Sequence, residues 1–222
     1  MFETDIVVIN SLDFQQKMMA QMVYADGTTL DTVLKPETYA ALKKHLAERN
    51  VPIEAMAQLK PSLVALTLSV MELQAMGFTS EGVDQYYSNK ATAENKPQAW
   101  LETPDEQLAF LVGLGKDDES GMIDYAIKDV EEMPEVINLL RSSWLEGDMQ
   151  ALANATIDDF KANYPQIYQD LLVSRNKLWM PQIIKMLNDH PVEFILVGAM
   201  HLAGPDSLLT KIAAQGYKIE KL

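Results

Sequence analysis

Cysteine is absent from the 222 residues of this chain, which removes disulfides, thiolate metal sites and cysteine nucleophiles together. Histidine is nearly as scarce: with only His45, His190 and His201 present, a zinc site built from several imidazoles of one chain is disfavoured. Basic residues are outnumbered, 18 Lys and Arg against 32 Asp and Glu, for a net charge of −14. Nucleic acids and anionic membranes are bound chiefly through Lys and Arg clusters, and no basic stripe occurs, so neither is an expected partner. No uninterrupted apolar run reaches the roughly 20 residues that a membrane helix needs. The longest, Leu63 to Met76, is broken by Thr67, Ser69, Glu72 and Gln74 and reads as a buried core helix. The opening Met-Phe-Glu-Thr-Asp carries neither a basic leader nor an apolar signal core, so the chain as written is expected in the cytoplasm. Serine-hydrolase elbows, His-Glu-x-x-His, phosphate loops and dinucleotide fingerprints are also missing.

What remains is an ordinary globular composition, 48 % hydrophobic and 23 % charged, with enough length for one sizeable core. Helical spacing runs through Leu12 to Met22, where Phe14, Met18, Met19 and Met22 fall on one face and read as core filling. Asp26-Gly27 marks a turn, and Pro36, Pro52 and Pro61 stand where helices begin. Gly77 fits a helix C-terminal cap, and Thr79-Ser80-Glu81 is expected to start the next helix. His45, among Lys43, Lys44, Glu48 and Arg49, reads as a solvated surface residue. A helix is expected from about Leu171 to Asn188, with Pro181 kinking or breaking it.

Short apolar pieces at residues 1–9, 98–102, 192–198 and 217–222 have the length and bounding turns of strands. The expected fold is therefore α/β and dominated by helices: a small mixed β-sheet flanked by helices, with large helical insertions. A single domain over residues 1–222 is expected, its sheet core at about 1–10, 97–112 and 190–222 and its insertions at about 30–96 and 120–188. An open sheet edge would favour a homodimer.

The run Phe194-Ile195-Leu196-Val197 leads through Gly198-Ala199-Met200-His201 into Gly204-Pro205-Asp206, so a buried strand is expected to deliver His201 at its carboxyl end. Ligands of α/β sheets usually sit there. Glu3 and Glu102 also fall at or near the ends of predicted strands. If those strands are neighbours, the three side chains converge. A mixed carboxylate and imidazole set suits a divalent metal of intermediate hardness, whose bound water is a nucleophile for hydrolysis. Arg175 would stabilise the resulting oxyanion. The competing reading makes Glu3 and Glu102 loop or helix-capping residues and pairs Arg175 with a surface carboxylate.

Phe2-Glu3-Thr4-Asp5, Leu101-Glu102-Thr103 with Gln107, Arg175-Asn176, and Val197-Gly198-Ala199-Met200-His201-Leu202 with Gly204 together resemble the TraB/PrgY/GumN group, related to the Tiki proteins. The likeness runs from residue 2 to the end and includes Asp26 to Leu30 and Val33 to Tyr39. It implies a metal-dependent, peptidase-like site of two Gly-x-x-His motifs, a glutamate and an arginine, on a core of the erythromycin-esterase and ChaN-like type. On that resemblance Glu3 and His201 hold a divalent ion, with manganese, cobalt and zinc not distinguished, and Glu3, Arg175 and His201 are catalytic. Glu102, Gln107, Asn176 and Gly198 support the site or bind substrate. The first Gly-x-x-His motif has no counterpart here, which leaves fewer metal ligands. Many bacterial relatives carry a signal peptide or lipid anchor ahead of the glutamate, so a longer form is expected to be secreted or anchored. The functional expectation is a hydrolase acting on a peptide or small molecule, incomplete in this chain. The alternative is a non-catalytic ligand- or peptide-binding protein on the same fold.

Overall fold

A computed structural model describes every residue except Phe2, Asp5, Ser80, Glu81 and Leu222, and all side chains of the remainder except those of Ile6 and Val7. The chain is 68 % helical and 1 % strand, and the described residues form no sheet. The expected α/β architecture with a mixed β-sheet is thereby corrected to an all-helical one. Residues 6–9, placed at a first strand, form the helix Ile6–Ile9 although all four residues are β-branched. A β-propensity that spans only about 1 kcal/mol does not by itself decide so short a run. Residues 192–198 and 217–221 are irregular. In the first of these, Ile195 and Val197 pack on the core while Phe194 is exposed, the alternation of a strand. A run of that length cannot be told from buried irregular chain by periodicity alone. The dimer expectation rested on an open sheet edge and loses its basis with the sheet.

The chain divides into two compact units. The first comprises Met1–Ile6, Glu81–Pro104 and Glu135–Leu222, and the second Val7–Ser80 and Asp105–Pro134. No helix among the described residues is long and apolar enough to cross a membrane.

In the second unit, the helices Leu12–Met22, Pro36–Glu48 and Pro61–Ala75 begin where the sequence signals place them. Ser11 caps the first by accepting from the Phe14 amide, and proline opens the other two, where its missing N–H costs nothing. Met22, Leu63 and Leu108 form one core with Phe14 and Met18 against it. Met19 instead stands 45 % exposed. Gly77 has φ +86° and the Phe78 amide reaches back to the Leu73 carbonyl, the left-handed closure that favours glycine.

His45 is buried at 3 % exposure, against the surface reading. Its Nδ1 lies 3.6 Å from Glu131 Oε1 and 3.4 Å from Arg49 Nη1, and Nε2 has no protein partner. Arg49 is itself paired with Glu72 at 2.8 Å. Burial first, then the Arg49 charge, holds the imidazole below its ordinary value, and Glu131 opposes them only in part. Because the folded value lies under the unfolded one, this residue's contribution is intact above about pH 6.5 and is lost as pH falls through the depressed value. Urea unfolding of His45→Gln followed by circular dichroism should therefore lose less stability between neutral and mildly acidic pH than the parent. Equal losses would remove His45 as the cause.

In the first unit, Trp179, Ile183 and Met186 form an i, i+4, i+7 stripe of the Arg175–Leu187 helix and pack with Leu101 and Leu208. That helix continues through Pro181. It is preceded directly by the π-helical turn Gln169–Ser174, a wider turn that resets the helical phase just before Arg175 and is frequent at functional sites.

Candidate functional site

Glu3, Glu102, Arg175, Asn176 and His201 all lie in the first unit and meet there. Met1 and Glu3 are tied down by backbone bonds, Leu196 donating to the Met1 carbonyl at 2.8 Å and Glu102 donating to the Glu3 carbonyl at 3.0 Å. The terminal ammonium of Met1 donates to the Phe194 carbonyl. Leu101 is anchored on its other side by Gln182, whose amide donates to its carbonyl. These bonds bring two carboxylates distant in sequence to the start of the Arg175–Leu187 helix without a continuous ladder.

Arg175 occupies the centre. Its Nε and Nη2 donate to the two oxygens of Glu102 at 2.8 and 2.9 Å, the bidentate fork that guanidinium geometry favours. Nη2 also donates to Glu3 Oε1 at 2.6 Å. Glu102 Oε1 accepts a third bond, from Trp179 Nε1 at 3.0 Å. The Trp179 ring, fully buried, has the guanidinium carbon 4.8 Å from its centroid on one side of the site and the His201 ring 4.5 Å away. Burial acts to lower the Arg175 pKa, but its bonds to Glu102 and the charge of Glu3 outweigh that and raise it.

His201 sits on the short 3-10 turn Ala199–Leu202, where its amide donates to the Gly198 carbonyl at 2.9 Å. The Gly-x-x-His spacing is thus one turn closed on itself. Gly198 has an ordinary φ of −56°, and a Cβ added there would meet only His201 Cδ2, at 3.6 Å. Nothing in this backbone demands glycine. His201 Nδ1 is 2.6 Å from Asn176 Oδ1, and Asn176 Nδ2 donates to the Asp206 carbonyl at 3.0 Å. Since the amide spends its donor on Asp206, its oxygen faces His201, and Nδ1 must carry a hydrogen. Nε2 then faces Glu3 Oε1 at 3.3 Å and Arg175 Nη1 at 3.5 Å. Burial would raise the Glu3 carboxyl, but the bond with His201 and the charge of Arg175 hold it below the ordinary carboxylate range. Glu3 is the open member of the set, its side chain 24 % exposed against 9 % for Glu102 and 5 % for His201.

Gln107 lies on the Pro104–Gly113 helix, in the part assigned to the second unit. Phe2 and Asp5 of the first motif fall outside the described residues. Sequence reasoning missed Trp179 and Asp206 as members of the site. Trp179 is four residues after Arg175 on one helix, the spacing at which side chains meet, so its signal was present. Asp206 acts through a main-chain carbonyl and left no side-chain signal.

The sequence model of the TraB/PrgY/gumN family matches residues 1–221. The chain belongs to this family. Comparison with curated proteins and with solved structures gave no match. In this TraB/PrgY/gumN family member the divalent ion implied by the resemblance would have Glu3 and His201 as donors, and the arrangement does not fit it. Both oxygens of Glu102 are taken by Arg175 and Trp179, and Glu3 Oε1 already accepts from the guanidinium. A positive charge therefore stands 3.5 Å from the imidazole nitrogen that would bind the ion. Among the described residues no three His, Asp or Glu are grouped to hold a metal.

Proposed function

We propose that this chain is a hydrolase of peptide bonds in which His201 Nε2 is the atom that moves the proton. The observation that supports this most is the two-sided setting of that nitrogen. With Nδ1 committed to Asn176, Nε2 stands between Arg175, which only donates, and Glu3, which only accepts. A neutral imidazole is paired with the guanidinium and a protonated one with the carboxylate, so both states are accommodated without rearrangement. The two carboxylates and one guanidinium leave one net negative charge, which a proton on His201 cancels. As water attacks the carbonyl carbon, Nε2 takes its proton, and returns it to the leaving nitrogen as the C–N bond breaks. The products are an amine and a carboxylic acid, which gives up its proton to the amine or to solvent. Glu3 stabilises the imidazolium, and Arg175 keeps Glu3 ionised.

Incubation with a mixture of unstructured peptides, read by mass spectrometry for new termini, tests this. The parent should cleave, and His201→Ala and Glu3→Gln should each be slower by about 10²–10⁴-fold, the usual contribution of a positioned acid or base. No cleavage by the parent, or equal rates in His201→Ala, overturns it. A metal-dependent form of the activity, with manganese, cobalt or zinc on Glu3 and His201, would need Arg175 to withdraw from Glu3. Stoichiometric binding in calorimetric titration, abolished by His201→Ala, supports that form. The exposure of Tyr86 and Phe194 in the same unit, beside the near-complete burial of His201, favours a second reading as a peptide-binding protein without catalysis. Peptide binding unchanged in His201→Ala supports it.

A further inference from the structure

His201 can serve the proposed hydrolase only if Nε2, and not Nδ1, is the nitrogen left open toward Glu3. Which nitrogen carries the hydrogen of a neutral imidazole is set by what the other contacts. Here the deciding contact is the Asn176 amide, and an amide turned end for end would present a donor to Nδ1 and reverse the choice. The amide does not decide its own orientation. Its Nδ2 follows the Asp206 carbonyl, so the position of residue 206 is what selects the histidine form.

Residue 206 is held with unusual firmness for a loop. Its carboxylate accepts from the Tyr168 hydroxyl at 2.8 Å and from Lys161 at 2.9 Å, both on Oδ2. Tyr168 is buried at 4 % and packs edge-on against Phe160, ring centroids 5.9 Å apart. On one side of Asp206, Gly204 turns with φ +79°, a conformation that glycine adopts without strain, and an added Cβ would press on Ile157 Cγ2 at 3.1 Å. On the other side, Ser207 caps the Leu208–Ala214 helix by accepting from the Thr210 amide. A buried tyrosine whose hydroxyl ends on a carboxylate outside the cluster has no part in the chemistry described above.

We propose that Tyr168 and Asp206 are positioning residues that fix, through the Asn176 amide, which nitrogen of His201 carries its hydrogen. Tyr168 and Lys161 hold the Asp206 side chain, the Asp206 main chain holds the amide, and the amide holds Nδ1–H. The inference rests on the hydrolase reading for its purpose, but the arrangement it describes is measurable without any substrate.

The measurement is long-range 1H–15N correlation of the histidine rings in the full chain, at about pH 8, above the ordinary histidine range, with His201→Asn used to assign the signals. In the parent, His201 should be the Nδ1–H form. In Tyr168→Phe, which keeps the ring against Phe160 and removes only the hydroxyl, the ratio of Nδ1–H to Nε2–H should fall several-fold. In Asp206→Ala, where both side-chain bonds are lost, it should fall further, and Asn176→Leu should lose the preference entirely. Should Asp206→Ala not fold, Tyr168→Phe alone decides. A parent in the Nε2–H form, or an unchanged ratio in Tyr168→Phe with Asp206→Ala either unchanged or unfolded, overturns the proposal. A peptide-cleavage assay that fails while the ratios behave as stated sinks the hydrolase reading and leaves the positioning role standing.

Discussion

Replacing Arg175 with alanine should lower the unfolding free energy by about 3–5 kcal/mol, the cost of stripping one partner from a buried ion pair. The guanidinium is 10 % exposed and Glu102 9 %, so the carboxylate left behind cannot recover its hydration. Trp179 would still donate to it. The size of the loss comes from this stranded charge more than from the value of the pair itself, since burying both ions was costly from the start. Arg175→Ala combined with Glu102→Gln should therefore be more stable than Arg175→Ala alone, because a neutral amide replaces the unpaired charge. Lysine at 175 should recover little, since a point charge cannot reproduce the two-pronged contact. All three tryptophans, Trp100, Trp144 and Trp179, belong to the first unit, so fluorescence during urea unfolding follows the unit that holds the site. A loss below about 1 kcal/mol, the range of exposed pairs, would mean that the cluster is far wetter than described.

Trp179→Ala should cost a comparable amount, about 3–5 kcal/mol, for a different reason. The indole is fully buried at the head of the Trp179, Ile183, Met186 stripe, and its removal leaves a cavity between that core and the polar cluster. It also takes away one of the three bonds to Glu102 and the aromatic wall against which His201 lies. Trp179→Phe separates the two losses. Phenylalanine fills most of the volume but cannot donate, and should cost about 1.5–3 kcal/mol, the range for hydrogen bonds to charged groups. If Trp179→Phe is as damaging as Trp179→Ala, the bond to Glu102 dominates. If Trp179→Phe is silent, Glu102 is satisfied by Arg175 alone.

Several helices were legible because each carries local signals: the apolar spacing of Leu12–Met22, Pro36 and Pro61 at the first positions of theirs, Gly77 just beyond Pro61–Ala75. The strands were misread for an equally local reason. Ile195 and Val197 do alternate inward, but alternation reports only that one side is buried, whereas a strand needs a ladder of bonds to a neighbour. Here Phe194 accepts from the Met1 ammonium, Leu196 donates to the Met1 carbonyl, and no sheet forms among the described residues. The burial of His45 is hidden in the sequence because its neighbours there are charged. Lys43, Lys44 and Glu48 do point outward, while position 45 shares an inner face with Leu42 and Leu46.

By itself the sequence determined the types of group available: no thiol, three imidazoles, an acidic excess, and the motif residues Glu3, Glu102, Arg175 and His201. It also carried the family, whose model spans residues 1–221. Only the tertiary structure decided what these residues do to one another. Arg175 is 172 residues from Glu3 and 73 from Glu102, and no spacing rule says that a guanidinium will fill the gap between two carboxylates rather than leave it to a metal ion. The hydrogen on His201 is more remote still, since it follows from a bond accepted by the main-chain carbonyl of Asp206. Sequence specifies side chains, and contacts made by the backbone or decided by three-dimensional packing are visible only once the chain is folded.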